Sequence, residues 1–217
     1  MSGFDHKVVV FDLGGTLMEY EGMPLDWSGF YCDGFREISK ANGLNIPEEK
    51  IKRSAEIMRS FNPRLTGREV EFAPEVIFGE AIADWDQKPK IGKVADDFFS
   101  GLILRPRIFE YTKNIIDLCK ANGAKVACLT DLPSGMPDRI FKSAITEVTD
   151  LLDLYMSSES CGYRKPNKAG IDKIAEHFGV DATLILFVGD EKKDLQTARN
   201  AGCRFLYIHD FIDRFMW

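Results

Sequence analysis

The stretch KVVVFDLGGTL, residues 7–17, decides the fold. Four apolar residues, three of them β-branched and one aromatic, precede Asp12, and a glycine-rich turn follows it. A continuous apolar run of this kind predicts a strand that is buried on both faces, as in a parallel sheet. Parallel α/β sheets place their functional groups at the carboxyl ends of the strands. The stretch therefore predicts a buried strand that delivers Asp12 to the ligand-binding edge of a sheet.

The chain from Pro106 onward alternates between helical and strand patterns. Further strands are predicted over residues 125–131, 154–159, 183–190 and 204–210, with amphipathic helical patterns between them. Strands that alternate with helices of this length indicate a parallel sheet covered by helices on both faces. The predicted fold class is α/β, with a doubly wound parallel sheet.

Residues 19–105 have a different pattern, because their apolar residues recur at helical spacing and no strand pattern interrupts them. The sequence therefore predicts an α/β core formed by residues 1–18 and 106–217, with an α-helical domain inserted between its two parts. The hinges of this insert are expected near Leu17–Tyr20 and Leu104–Pro106.

Composition limits the classes of partner. The net charge of −6 and the pI near 5.2 argue against a nucleic-acid or membrane-surface partner. No apolar run approaches the ~20 residues that a membrane-spanning helix needs. The five cysteines lack C-x-x-C spacing, and the N-terminal MSGFDHK is a poor signal peptide, so we expect reduced thiols and a cytoplasmic protein. The aromatic tail formed by Phe211, Phe215 and Trp217 favours core packing over a dimer contact.

Chemically active residues follow four of the predicted strands. An acidic residue after a strand often only caps the next helix, and Lys165 taken alone would be a solvated surface lysine. Their coincidence on successive strand ends favours a functional site. The residues are Asp12, Thr130, Asp131, Lys165, Asp190 and Asp194.

The segments VVVFDLGGTL, CLTD, GYRKP and FVGDEKKD resemble, in order and spacing, the four motifs of the haloacid dehalogenase superfamily. The helical insert is similar to the small cap that this superfamily places after its first strand. The resemblance implies a Rossmann-like core with Asp12 as the nucleophile that accepts a phosphoryl group. Thr130 would bind a phosphate oxygen, and Lys165 would offset negative charge.

The resemblance also implies Mg²⁺, for which aspartate carboxylates are suitable hard oxygen ligands. The expected metal ligands are Asp12, the Gly14 carbonyl, Asp190 and Asp194. The turn after Asp12 can offer backbone N–H groups to phosphate. The expected phosphate-binding residues are Gly14, Gly15, Thr130, Asp131 and Lys165.

Asp131 departs from the asparagine that is common at this position in the family. A carboxylate would repel a phosphate unless it faces away or binds a cation or a sugar hydroxyl. We therefore expect its main role to be capping the following turn at residues 133–139.

Gly14 stands where most phosphatases of this family have an aspartate that protonates the leaving group and then activates water. Loss of such a group costs ~10²–10⁴ in rate. The substrate could have a leaving group that needs no proton, such as an acyl or anomeric phosphate. Alternatively, Glu19, Glu21 or a carboxylate of the cap could replace the missing aspartate.

Two other functions stay open. The protein could bind phosphorylated ligands in a regulatory role and turn them over poorly. It could also be a 2-haloacid dehalogenase, although the family's dehalogenases typically place a tyrosine at the position of Gly14 and need no metal. We expect a Mg²⁺-dependent phosphohydrolase for a small phosphorylated metabolite. The sequence does not decide between a monomer and a homodimer.

Overall fold

The structure is a computed structural model that describes residues 5–216. Its chain forms two compact units. The sheet unit comprises residues 5–20, Pro106–Asp131 and residues 142–216. The helical unit comprises Glu21–Arg105 and Leu132–Phe141. The functional division into a core and a cap stays a prediction.

A five-stranded parallel sheet forms the centre of the sheet unit, which confirms the predicted α/β class. Its strands, numbered in chain order, are β1 (Val8–Phe11), β4 (Lys125–Thr130), β5 (Leu154–Ser157), β6 (Ile185–Gly189) and β7 (Arg204–Tyr207), in the spatial order β5-β4-β1-β6-β7.

The helices of the sheet unit follow its strands. They are α6 (Thr112–Ala121), α8 (Thr146–Thr149), α9 (Ser158–Cys161), α10 (Ala169–Phe178), α11 (Lys192–Ala201) and α12 (Ile208–Phe215). Helix α7 (Asp138–Ala144) begins in the helical unit and ends in the sheet unit.

The core of the sheet unit depends on β1, all of whose residues are completely buried. On one face, Val8 and Val10 pack in a cluster with Ile171 and Ile174 of α10. On the other face, Phe11 meets Phe211 of α12 edge-on, with 5.6 Å between the ring centroids.

The tail after β7 differs from the prediction. Residues 208–210 belong to α12 and not to the last strand, because an amphipathic helix buries Phe211 completely. The predicted core packing of Phe211 is confirmed, whereas Trp217 lies outside the described residues.

A second, two-stranded sheet was not predicted. Strands β2 (Met18–Tyr20) and β3 (Pro106–Ile108) pair in antiparallel fashion, with Glu19 opposite Arg107. The prediction of no strand within 19–105 is therefore wrong at residues 19 and 20. Strands of three residues are too short to show a period of two, which is why the pattern missed them.

Besides the first part of α7, the helical unit contains five α-helices that surround aromatic rings. They are α1 (Tyr31–Ala41), α2 (Glu48–Ser60), α3 (Pro63–Thr66), α4 (Pro74–Ala81) and α5 (Ile91–Ser100). Phe35 and Phe78 each approach Phe98 with ring centroids 5.2 Å apart. Ser134, from the later segment of this unit, donates a hydrogen bond to the Phe61 carbonyl at 2.9 Å.

None of the described helices has the length and apolar character needed to cross a bilayer.

Candidate active site

The strand order brings together the ends of three strands that carry predicted site residues. Strand β1 lies between β4 and β6, so Asp12, Thr130 and Asp190 meet at the same edge of the sheet. The Asp12 N–H donates to the Val188 carbonyl at 2.9 Å, which extends the hydrogen-bond ladder of the sheet to Asp12. Four of the predicted side chains, those of Asp12, Lys165, Asp190 and Asp194, form one cluster.

Lys165 is the centre of this cluster. Its side chain is 1% exposed, and its Nζ lies 2.8 Å from Asp12 Oδ1 and 2.7 Å from Asp194 Oδ1. The alternative of a solvated surface lysine is therefore wrong. Burial alone would lower the pKa of Lys165, but Asp12, Asp194 and Asp131 hold it above its ordinary value. The ammonium is therefore protonated at neutral pH.

Three carboxylates of the cluster converge on a single point. Oxygens of Asp12, Asp190 and Asp194 lie within 4.8 Å of one another. With all three ionised and Lys165 protonated, the formal charge of the cluster is −2. Burial raises the pKa of Asp12 to about 7, with Asp194 and Asp190 adding to the effect and Lys165 opposing it. Burial, Asp194 and Glu191 likewise raise the pKa of Asp190.

The donors of the cluster match a divalent cation. They are hard carboxylate oxygens with uncompensated negative charge, which Mg²⁺ or Ca²⁺ would neutralise. Asp190 is the most accessible of the three carboxylates, and its Oδ1 accepts a hydrogen bond from the Thr16 hydroxyl at 3.1 Å. Sequence reasoning missed Thr16 because its position within the motif does not reveal the direction of its hydroxyl.

Both oxygens of Asp194 are already bound. Oδ1 accepts from Lys165, and Oδ2 accepts from the Glu191 N–H at 2.9 Å. Glu191 accepts in return from the Asp194 N–H, so the two residues form a capping box at the start of α11. Asp194 thus positions Lys165 and caps the first turn of α11. Both roles are independent of metal binding.

The two glycines of the turn have different roles. Gly15 has φ of +80°, and a Cβ on it would lie 2.2 Å from Asp190 Oδ2, so glycine makes room for that carboxylate. The Gly15 N–H donates to the Met18 carbonyl at 2.8 Å, which argues against its expected use for phosphate.

Gly14 is exposed and has no such constraint. Apart from Gly14 itself and its two chain neighbours, no residue within 5–216 has an atom within 4 Å of the position that its Cβ would take. Its N–H has no hydrogen-bond acceptor within the same residues.

Thr130 and Asp131 lie at the end of β4. The Thr130 hydroxyl makes no hydrogen bond within the described part of the chain. The side chain of Asp131 is 7% exposed; its Oδ1 accepts from the Lys165 N–H at 3.0 Å and its Oδ2 lies 3.3 Å from Lys193 Nζ. The expectation that Asp131 mainly caps the following turn is therefore wrong.

Lys193 was missed by sequence reasoning. It lies in the first turn of α11, where a lysine usually belongs to a solvated helix face, so no signal distinguished it. Burial opposes the ionisation of Asp131, yet Lys193, Lys165 and Arg164 hold the pKa of its carboxyl below the ordinary value.

The suggested replacements for an acid at Gly14 are engaged elsewhere or lie in the other unit. Glu19 Oε1 accepts from Arg107 at 2.9 and 2.5 Å in the β2–β3 pair. Glu21 belongs to the helical unit.

Tyr111 also carries an ionisable hydroxyl close to this turn. The Tyr111 hydroxyl donates to the Thr16 carbonyl at 3.0 Å, and burial, Asp190 and Glu19 raise its pKa to about 12. Tyr111 therefore keeps its proton at neutral pH.

Known proteins resemble the chain over most of its length. A family model described as haloacid dehalogenase-like hydrolase matches residues 6–202. The phosphoglycolate phosphatase of Thiobacillus denitrificans is 27% identical over 91% of this chain and 80% of its own length. The phosphoglycolate phosphatase of Aliivibrio fischeri is 25% identical over 92% of this chain and 82% of its own length.

Solved structures share the fold. A HAD phosphatase from Thermococcus onnurineus aligns with a TM-score of 0.57 at 17% identity, covering 93% of this chain and 85% of that one. A predicted phosphoglycolate phosphatase from Haemophilus somnus gives 0.53 at 20% identity, covering 93% and 84%. The L-2-haloacid dehalogenase from Xanthobacter autotrophicus gives 0.52 at 19% identity, covering 92% and 76%.

Proposed function

Because the chain belongs to the haloacid dehalogenase-like hydrolases, we propose that it is a magnesium-dependent phosphohydrolase that transfers a phosphoryl group to Asp12. The observation that carries this proposal is the buried Lys165 ammonium between Asp12 and Asp194. A buried cation beside an acidic cluster suits a reaction whose main requirement is to position and neutralise a spread negative charge.

The residues that would hold Mg²⁺ are Asp12 and Asp190, with Asp194 behind them and the Gly14 carbonyl as a further ligand. Their convergence and net negative charge support this assignment. A bound Mg²⁺ supplies neutralisation of phosphate charge and orientation of the phosphoryl group. Asp194 contributes chiefly by holding Lys165, since both of its oxygens already accept hydrogen bonds.

The phosphate would be bound at the carboxyl edge of the sheet. Its oxygens would accept from Lys165, from the Thr130 hydroxyl and from the N–H groups of Gly14 and Asp131. Support comes from the donors themselves, because neither that hydroxyl nor those two N–H groups have an acceptor within residues 5–216.

In the first step, a carboxylate oxygen of Asp12 attacks phosphorus, and the bond to the leaving oxygen breaks. The Asp12 carboxylate is already oriented, since its Oδ1 accepts from the Leu13 N–H at 2.7 Å and from Lys165. In the second step, water attacks the aspartyl phosphate and releases phosphate. Gly14 offers no group that could give or take a proton in either step, so we expect slow turnover of poor leaving groups.

The substrate is proposed as a small phosphorylated metabolite, either a phosphate monoester or an acyl phosphate. Because the named relatives are phosphoglycolate phosphatases, 2-phosphoglycolate is the first substrate to test. Acetyl phosphate is the second, because its leaving group departs without protonation. The acidic cluster favours a phosphatase over a dehalogenase, since halide displacement needs no metal.

The experiment measures hydrolysis of p-nitrophenyl phosphate, acetyl phosphate and 2-phosphoglycolate with Mg²⁺ and with EDTA. We expect turnover that requires Mg²⁺ and a hydroxylamine-sensitive adduct on Asp12 after incubation with acetyl phosphate. Asp12→Asn should abolish both. Asp190→Asn should remove the rise in thermal stability that Mg²⁺ produces in the parent protein.

The matched control is Asp213→Asn, which removes an exposed carboxylate on α12. This variant should keep the parent's activity and its Mg²⁺ response. An unchanged Mg²⁺ response in Asp190→Asn would overturn the metal site. No adduct and no hydrolysis in the parent would leave the alternative that Gly14 favours, a phosphate-ligand-binding protein without turnover.

A further inference from the structure

An acidic residue at a phosphate-binding edge poses an electrostatic problem. The Asp131 side chain is almost completely buried and directly follows Thr130, the proposed phosphate ligand. Its charge would repel a phosphate dianion within a poorly screened environment. The same carboxylate is nevertheless useful, because its Oδ1 accepts from the backbone N–H of Lys165 and so holds the loop that carries the central ammonium.

Lys193 forms an ion pair with the other carboxylate oxygen of Asp131. Its Nζ is 3.3 Å from Asp131 Oδ2 and 3.1 Å from a carboxylate oxygen of Glu191. The Lys193 side chain is 29% exposed, so these two ion pairs hold it while part of it remains in contact with solvent. Lys193 thereby connects the end of β4 to the loop that begins α11.

We propose that Lys193 is a positioning residue that neutralises Asp131, so that Asp131 can hold the Lys165 loop without repelling the phosphate. The two residues act as a unit, and neither touches the phosphate through its side chain. This inference rests on the proposed function, because it assumes a phosphate site at the edge formed by Thr130 and Lys165.

In a pair of this kind, the effect of each substitution on phosphate binding depends on whether the other residue is still present. Without Lys193, the buried Asp131 charge loses the cation beside its Oδ2, and only Lys165 and Arg164 offset its repulsion of the bound anion. When the Asp131→Asn substitution is added, the new amide oxygen can still accept from the Lys165 N–H, and the repulsion is gone. Non-additive effects are therefore the expected result, and a double-mutant cycle measures them.

The test measures the dissociation constant of orthophosphate by titration calorimetry in the presence of Mg²⁺. Lys193→Met should weaken binding by at least ~10-fold, equivalent to about 1.4 kcal/mol. Asp131→Asn should bind phosphate as tightly as the parent or more tightly. The double variant Asp131→Asn/Lys193→Met should return to within ~3-fold of the parent, a recovery that a purely structural loss would not show.

Lys192→Met is the matched control, because it removes an exposed lysine one position earlier on the same helix. It should bind phosphate like the parent, and Lys193→Arg should retain most of the affinity because it restores the cation. If Lys193→Met does not fold, Lys193→Gln replaces it, and the double variant still measures the recovery.

Two outcomes would overturn the inference. Lys193→Met with parental affinity would mean that Asp131 needs no partner. A double variant as weak as Lys193→Met would mean that Lys193 does not act by neutralising Asp131. Failure of the proposed function is a separate result, since a parent protein that binds orthophosphate but hydrolyses no ester would contradict only the enzymatic proposal.

Discussion

Two adjacent glycines follow Leu13, and the structure separates their roles. Gly15 needs its positive φ and the absence of a side chain, because Asp190 occupies the space where a Cβ would stand. Gly14 has a φ outside the left-handed region and open space around the Cβ position. The sequence GG cannot distinguish them, because backbone angle and proximity to a distant residue are properties of the fold.

Gly14→Asp should therefore fold and should gain activity. A carboxylate at this position could protonate the leaving group and activate water, which typically contributes ~10²–10⁴ in rate. We expect turnover of alkyl phosphates to rise by ~10²-fold or more and the acetyl-phosphate adduct on Asp12 to become shorter-lived. Steady-state assays and the decay of the hydroxylamine-sensitive adduct measure the two effects.

Gly15→Asp is the contrasting variant. It should lose the Mg²⁺ response, because its Cβ would collide with Asp190 and its φ is unfavourable for a side chain. A well-folded Gly14→Asp protein with no gain in either measurement would mean that another group already serves as acid and base.

Several site residues were predictable because strand ends and spacing specify them. Asp12, Thr130, Lys165, Asp190 and Asp194 all lie at the edge that the strand pattern indicated. The partners of Asp131 were not predictable, because hydrogen bonds between residues 34 and 62 positions apart depend on the exact approach of two loops.

At the level of the elements, the close packing of two helices requires a glycine at one position, and alanine substitutions can test this requirement. Gly34 of α1 lies against α5, where a Cβ would be 2.4 Å from the Phe98 ring. Gly79 of α4 has no described atom within 4 Å of its Cβ position, apart from its chain neighbours and the backbone of its own helix. The same substitution should therefore have opposite effects on the stability of the helical unit.

Gly34→Ala should lower the free energy of unfolding by about 1 kcal/mol or more, because overpacking outweighs the gain in helix propensity. Gly79→Ala should raise it by about 0.5–1 kcal/mol, because alanine favours the helix. Urea denaturation followed by circular dichroism measures both. Equal effects of the two variants would contradict the packing of α1 against α5.

The elements differ in how far the sequence determined them. Strands β1 and β6 are continuous apolar runs, so both their positions and their burial were predictable. The last strand was predicted too long, since RFLYIHD contains no residue that marks the start of a helix at Ile208. Pairing of β2 with β3 joins positions almost ninety residues apart and had no local signal.

The stability of the whole molecule should respond to pH through Asp12. Its pKa is raised from 3.8 to about 7, so between these values the folded state binds more protons than the unfolded state. Stability without metal should therefore fall as pH rises from about 4 to 7, with a contribution of at most about 1.4 kcal/mol per pH unit. Mg²⁺ should stabilise the protein more at pH 8 than at pH 5, because protons compete for its carboxylate ligands.

Asp12→Asn provides the control for this assignment, because the amide keeps the shape of the side chain and does not titrate. In EDTA, this variant should show a flatter dependence of the free energy of unfolding on pH between 4 and 7. Parallel curves for the parent and the variant would show that Asp12 is not the group responsible.

The β2–β3 pair also has a consequence for how such a chain can diversify. Tyr20 is the register partner of Pro106, and the Glu21 N–H donates to the Arg105 carbonyl at 2.9 Å. The inserted segment, residues 21–105, therefore has the topology of a β-hairpin loop, because its first and last residues are held together by these contacts. Since doubling the length of a flexible loop costs only about 0.6 kcal/mol, inserts of very different size are compatible with the same pair of strands. This pair of strands is therefore a suitable insertion site. One inserted domain could be replaced by another there while the sequence of the sheet and its charged cluster stays the same.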